Sequence, residues 1–431
     1  MSASLSRRTV SAYALGIGPA AVLGLPFSVY LPPFVAAGGV VPVALVGLIF
    51  SLSTLWDGIV DPLIGTMIDR KSNGDAPHRR WMRLAALPIA ILLPMLVIWG
   101  DDLQFWLLLP LLLLYYSSYS LYDVAHLSWG AALAGNADDS ARLFGNRQFA
   151  EKIILVLAFA LPAIAQAMIP DIDLQGRVLA YASLVIILLP AALLAIARLP
   201  GRPVVPEPGI GWKRELHASL KSPTLLLILL AQFLGAFSFG GLSATFIFFA
   251  DGYLALDHRG ALLLFGTFVG GALLTPVWIM AARRFGKPQT MIANCVWLLA
   301  ALSSAVLLPR GDFIVSLLFS VLLGAGFMGL IFIHGMVSDF APFDRDKCGR
   351  DRTALLFAIL NLTQKLGNAF AVAIAYGLLG AYGFDATRPA ESGELVRNIF
   401  TGLPLVGWGT MIFILLLLRR HDSVNRKGTR V

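Results

Sequence analysis

Two aspartates one helical turn apart, Asp57 and Asp61, lie in the stretch Trp56-Asp57-Gly58-Ile59-Val60-Asp61-Pro62-Leu63-Ile64-Gly65, inside a segment otherwise apolar enough to cross a bilayer. As i and i+4 on a helix they project from one face. An ionised Asp at the centre of a membrane helix costs about 2.5 to 3.5 kcal/mol on insertion scales, so two on one face need partners, a bound cation or a proton. The chemistry this pattern suits is ion binding. Bond-making chemistry lacks its usual signatures: no nucleophile motif, phosphate-binding glycine loop or His/Cys cluster with metal-ligand spacing is present. The chain is therefore read as a non-enzyme without a cofactor, whose paired acids call for partners, a bound cation or a proton.

Few other ionisable groups fall within apolar runs. Asp123 follows the most polar part of any span, Tyr115-Tyr116-Ser117-Ser118-Tyr119-Ser120-Leu121-Tyr122, and precedes His126. Helical spacing puts Tyr116, Ser120 and Asp123 on one stripe, and Tyr115, Tyr119, Tyr122 and His126 on the next. Hydroxyls with a carboxylate suit a polyhydroxylated ligand, and aromatic faces suit the apolar side of a sugar ring. The same tyrosines are also suited to bridging helices. His126 has an ordinary pKa near 6.5 and reads either as a proton relay or as a hydrogen-bonded packing residue. Lys365, in Asn361-Leu362-Thr363-Gln364-Lys365-Leu366-Gly367-Asn368, lies about three turns into its span and requires a carboxylate partner, with Asp57, Asp61 and Asp123 available. A fixed salt bridge is the simpler reading of that pair. Asp69-Arg70 and Asp339 stand near span ends, where they serve gating or loop bracing.

These groups need a membrane scaffold to hold them. Of 431 residues, 58% are hydrophobic and 13% charged, against about 25% charged in an average soluble domain. Apolar runs of about 20 residues recur throughout, each long enough to span a hydrocarbon core of about 30 Å. They predict twelve transmembrane helices at 12–32, 42–67, 82–99, 104–133, 149–169, 178–197, 224–249, 261–282, 290–308, 313–337, 354–381 and 400–418. Lys and Arg concentrate on the termini and on alternate turns; outside that set are Arg177, Arg259, Arg310, Arg388 and Arg397, with Lys365 inside a span. The positive-inside rule then puts both termini in the cytoplasm; the membrane expected is a bacterial-type cytoplasmic (inner) one. The net charge of +8 is thus a topology signal, and no nucleic-acid partner is expected. Cys295 and Cys348 fall in different compartments, so no disulfide is expected. The proline-rich segment 198–223 divides a six-helix bundle, 1–197, from a second, 224–431. This all-α, two-bundle plan is that of transporters with their substrate site between pseudo-symmetric halves.

The motif Trp56-Asp57-x-x-x-Asp61-Pro62-x-x-Gly65, the basic turn Arg79-Arg80-Trp81, the Asp123 region with Arg147 after it, and Asp339 with Lys365 together resemble the glycoside-pentoside-hexuronide:cation symporters. These form the melibiose-permease-like branch of the major facilitator superfamily. The resemblance implies that Asp57 and Asp61 bind the coupling Na+, Li+ or H+, with Ser120 and Lys365 beside them. It also implies that Asp123 and Arg147 contact substrate. Three departures stand out. Val60 replaces an asparagine, removing a neutral oxygen suited to Na+, so proton coupling becomes at least as well supported. The family's first-span aspartate has no match in Gly18-Pro19-Ala20-Ala21-Val22. Leu127 stands where the permease has tryptophan, which argues against a galactoside.

The resulting expectation is a cation-coupled symporter of a sugar-like solute working by alternating access, with Tyr116, Tyr119 and His126 joining Asp123 and Arg147 at the substrate. Its partners are that small molecule and membrane lipid, with no obligatory protein partner. The competing cargo on the same fold is a lysophospholipid or another amphiphile.

Overall fold

The computed structural model describes residues 5–71, 77–134, 137–169, 171–197, 199, 221–256, 259–348 and 353–428. Among these the regular structure is helical throughout. Among the described residues, eleven helical stretches are long and apolar enough to cross a membrane, and a shorter apolar helix covers Phe313–Gly324. The chain divides into two compact units, Met1–Pro208 and Gly209–Val431. The segment expected to join them, 198–223, lies almost wholly outside the described residues.

The first unit contains α1 (Arg7–Gly16), α2 (Gly18–Leu23), α3 (Leu25–Ala37), α4 (Val43–Lys71), α5 (Pro77–Trp99), α6 (Phe105–Leu133), α7 (Ala137–Met168) and α8 (Leu174–Ala197). The first expected span is therefore three helical segments. Pro19 and Pro26 explain the breaks, because each lacks the N–H that the carbonyl four residues earlier would take. The turns are closed from outside: Tyr122 Oη donates to Gly16 O at 2.8 Å, and Tyr115 Oη to Leu23 O at 3.0 Å. Two members of the α6 tyrosine stripe thus bridge helices, as one reading of the sequence allowed. Phe27 stacks on Tyr115, with ring centroids 4.1 Å apart, and completes the seam. Helices α4 and α5 both pack along α6, while α1 and α2 pack on α7 and α8.

The second unit contains α9 (Pro223–Phe248, continued by a π-helical turn, Phe249–Tyr253), α10 (Gly260–Phe285), α11 (Lys287–Ser303), α12 (Phe313–Gly324), α13 (Ile331–Cys348), α14 (Thr353–Ala381) and α15 (Gly393–Gly428). Helix α9 packs against α14 and α15, and α10 against α12. The tenth expected span is broken between α12 and α13, where Gly324, Gly326 and Gly329 weaken the helix. Trp278 Nε1 donates to Ala325 O at 2.6 Å and Trp297 Nε1 to Leu322 O at 2.8 Å, so two indoles satisfy carbonyls at the break.

Helix α12 approaches α10 backbone to backbone. A Cβ on Gly324 would stand 1.8 Å from Thr267 O, and one on Gly270 would stand 2.0 Å from Val321 O. Small residues permit this spacing in membranes. Gly324→Ala should therefore lower the melting temperature of the detergent-purified protein, with an overpacking cost of about 1 to 3 kcal/mol. Gly377→Ala, where a Cβ meets nothing within 4 Å, is the matched control and should leave it unchanged.

Candidate functional site

The α4–α6 contact brings the paired aspartates to the polar stripe. Ser120 Oγ is hydrogen-bonded to Asp57 Oδ1 and lies 2.6 Å from Asp61 Oδ1. Asp57 is 4% exposed and Ser120 1%, while Asp61 is half-buried. Asp57 and Asp61 share a face of α4 because they are four residues apart, and Ser120 meets them because it lies on the α6 face turned to α4. Pro62, next in sequence, has no N–H to offer Gly58 O, which leaves a neutral oxygen between the two acids along the chain. A serine hydroxyl carries one proton and two lone pairs. It donates to one carboxylate only, and its contact with the second requires a proton from that acid or a cation between them.

Three residues further along α6 begins a second cluster. Arg147, on α7 and only 8% exposed, donates through Nη2 to Asp123 Oδ1 at 2.6 Å. Its Nη1 stands 3.6 Å from Glu151 Oε2 and its Nε donates to His126 Nδ1 at 3.3 Å. The carboxylates are more open, with Asp123 25% and Glu151 32% exposed. Glu151 was not singled out in the sequence, although its i, i+4 spacing to Arg147 is an ion-pair signal on a helix. His126 is fully buried, its ring stacked on Tyr13 with centroids 4.3 Å apart. Tyr13 is likewise a residue that sequence reasoning missed, being one more apolar-run residue until the fold joins it to α6.

The remaining candidates are more dispersed. Tyr116 is buried, edge-on to Phe27, whereas Tyr119 is half-buried with its hydroxyl beside Gly24. In the second unit, Lys365 is half-buried on α14. The neighbouring Gln364 Oε1 accepts from Gln232 Nε2 at 3.0 Å. Asp339 joins α13 to α11 through Lys287, whose Nζ reaches Asp339 Oδ1 at 2.7 Å and Gly335 O at 2.8 Å. The side chains of Asp69 and Arg70 lie outside those described. Among the described residues, no group of three or more His, Cys, Asp or Glu side chains is arranged to hold a metal ion.

The arrangement offers an acid pair on α4 sharing an α6 hydroxyl and, one turn further along α6 at Asp123, an α7 arginine held by two carboxylates. Such groups bind protons, cations and hydroxyls. Comparison with known proteins agrees with a carrier. A curated relative from Bacillus subtilis (strain 168), the uncharacterized symporter YjmB, is 21% identical over 409 residues, covering 90% of this chain and 86% of the relative. Among solved structures, the nucleoside transporter NupG superposes with a TM-score of 0.67 at 13% identity, covering 96% of this chain and 99% of that one. A point mutant of NupG gives 0.66 at 15% identity, covering 95% of this chain and all of that one. These likenesses establish the major facilitator fold. The family model for MFS/sugar transport proteins matches residues 12–423, and the chain belongs to that family of multi-pass membrane transporters.

Proposed function

We propose that this transporter is a cation-coupled symporter of a sugar-like solute, a glycoside, pentoside or uronate, carried by alternating access in a bacterial-type inner membrane with both termini cytoplasmic. The observation that carries the reading is the single hydroxyl of Ser120 within hydrogen-bond distance of both Asp57 and Asp61. One hydroxyl has a single proton to give, so the approach of two acids to it suits an H+ or Na+ held between them. Val60 in place of an asparagine removes one neutral oxygen that Na+ would use, which keeps H+ at least as well supported. Solute hydroxyls then bind at Asp123 and Arg147, whose carboxylate and guanidinium supply strong acceptors and donors. YjmB's description as a symporter and the sugar-transport family support the same class.

The test is thermal stabilisation of the purified protein by a panel of methyl glycosides, pentosides and uronates, at two pH values and with or without Na+. A solute at 100 times its Kd raises stability by about 2.7 kcal/mol. The reading expects at least one sugar-like solute to do so, more strongly at the lower pH or with Na+. A sugar shift independent of both ions would indicate an uncoupled facilitator, and a shift with lysolipids alone would replace the cargo.

A further inference from the structure

Each nitrogen of the Arg147 guanidinium has its own partner. Nη2 meets Asp123, Nη1 faces Glu151, and Nε donates to His126 Nδ1. The last contact decides the state of His126. A guanidinium N–H only donates, so Nδ1 must present its lone pair. On the other side of the ring, Nε2 lies 2.9 Å from Tyr13 O, a carbonyl that only accepts, so the proton is on Nε2. Both contacts are made together only by the neutral imidazole in this one tautomer. Tyr13 holds the ring in two further ways: its hydroxyl donates to His126 O at 3.2 Å, and its ring stacks on the imidazole at 13°.

Two glycines make room for this assembly. A Cβ on Gly16 would stand 2.7 Å from His126 Nε2, and one on Gly130 would stand 2.1 Å from Tyr13 Oη. The titratable and charged groups around the ring are Tyr13 from α1, Asp123 and Tyr122 on α6, and Arg147 and Glu151 from α7. Helix α8 brings the apolar Ile196 to the same place.

We infer that His126 and Tyr13 are positioning residues for Arg147: a neutral His126, seated by Tyr13 of the first span, holds the guanidinium by its Nε edge and leaves the Nη edge for the carboxylates and the solute. His126 therefore carries no transported proton, and the coupling ion belongs to Asp57 and Asp61. The purpose of this arrangement rests on the proposed role of Arg147 as a substrate contact, but its geometry does not.

The test uses the full-length, solute-free protein with 15N-labelled histidine and arginine. Wild-type His126 should show the neutral form protonated on Nε2, unchanged from about pH 8 to about pH 5, where an ordinary histidine titrates. Arg147→Met should move the Nδ1 15N resonance to that of a nitrogen that accepts no hydrogen bond, with the proton still on Nε2. Exchange of the Arg147 Nε proton with water should quicken about tenfold in His126→Phe and return towards the wild-type rate in His126→Gln, whose amide oxygen still accepts. A His126 that titrates in wild type, a proton on Nδ1, or equal exchange in all three proteins overturns the inference. With methyl glycosides as probes, His126→Gln should keep a thermal shift that His126→Phe loses. If wild type gives no shift with these sugars, the transport reading fails, while the exchange data still judge the positioning.

Discussion

Proteoliposomes carrying Asp57→Asn or Asp61→Asn protein are expected to equilibrate a labelled solute with the medium without concentrating it. In wild type, one positive charge moving with each solute through 100 mV contributes about 2.3 kcal/mol, enough to sustain a gradient of about 40-fold. In either variant that ratio should fall to about one. The physical reason is the proton count at Ser120, whose hydroxyl is shared by both acids. An asparagine brings its own donors and carries no charge, so one hydroxyl and one amide satisfy the remaining carboxylate and no ion is required. Entry down a gradient should persist, because Asp123 and Arg147 are untouched. Wild-type accumulation by both variants would remove the pair from coupling altogether.

The second large effect concerns Asp123. Asp123→Asn removes the negative charge from the contact at 2.6 Å and leaves Arg147 with Glu151 at 3.6 Å as its remaining carboxylate, beside His126 at 3.3 Å. Truncating one member of a buried hydrogen-bonded charge pair costs about 2 to 5 kcal/mol. Asp123 is one-quarter exposed, which places the effect at the lower end, a solute Kd raised about 30-fold. Arg147→Lys should be nearly as damaging, since a single ammonium cannot occupy the places of Nε and two Nη atoms. Glu151→Gln, which spares the closer contact, should change the Kd by less than about threefold. Equilibrium binding to purified protein separates these outcomes, and an undiminished affinity in Asp123→Asn would exclude that carboxylate from the solute site.

The spans were legible because a helix crossing hydrocarbon has to be long and apolar, and few other sequences are both. The aspartate pair was legible for the opposite reason, since charge in such a run carries a cost that needs explaining. What escaped was whatever depended on distant partners. Tyr13 looks like filler in an apolar run, and its partner His126 is 113 residues away. The broken tenth span has no proline at the break. Its glycines are common in membrane helices, and the two tryptophans that close it come from neighbouring helices. The first-span breaks did carry a proline signal at Pro19 and Pro26. Reading that span as continuous overlooked that hydroxyls from another helix can meet carbonyls beside each break. Glu151 stood at the margin of its span, where an acid looks like a boundary.

The tyrosine closures of the first span also bear on how the protein is made. Gly16 O and Leu23 O receive their donors from residues 106 and 92 positions later in the chain. Until α6 is synthesised, those carbonyls have no tyrosine to meet them, and each unsatisfied group in hydrocarbon costs several kcal/mol. At about 5 to 20 residues per second, the interval is about 5 to 20 s. The first span is therefore expected to settle fully only once α6 packs against it, and the helix that carries Ser120 and Asp123 is also the one that completes the beginning of the chain.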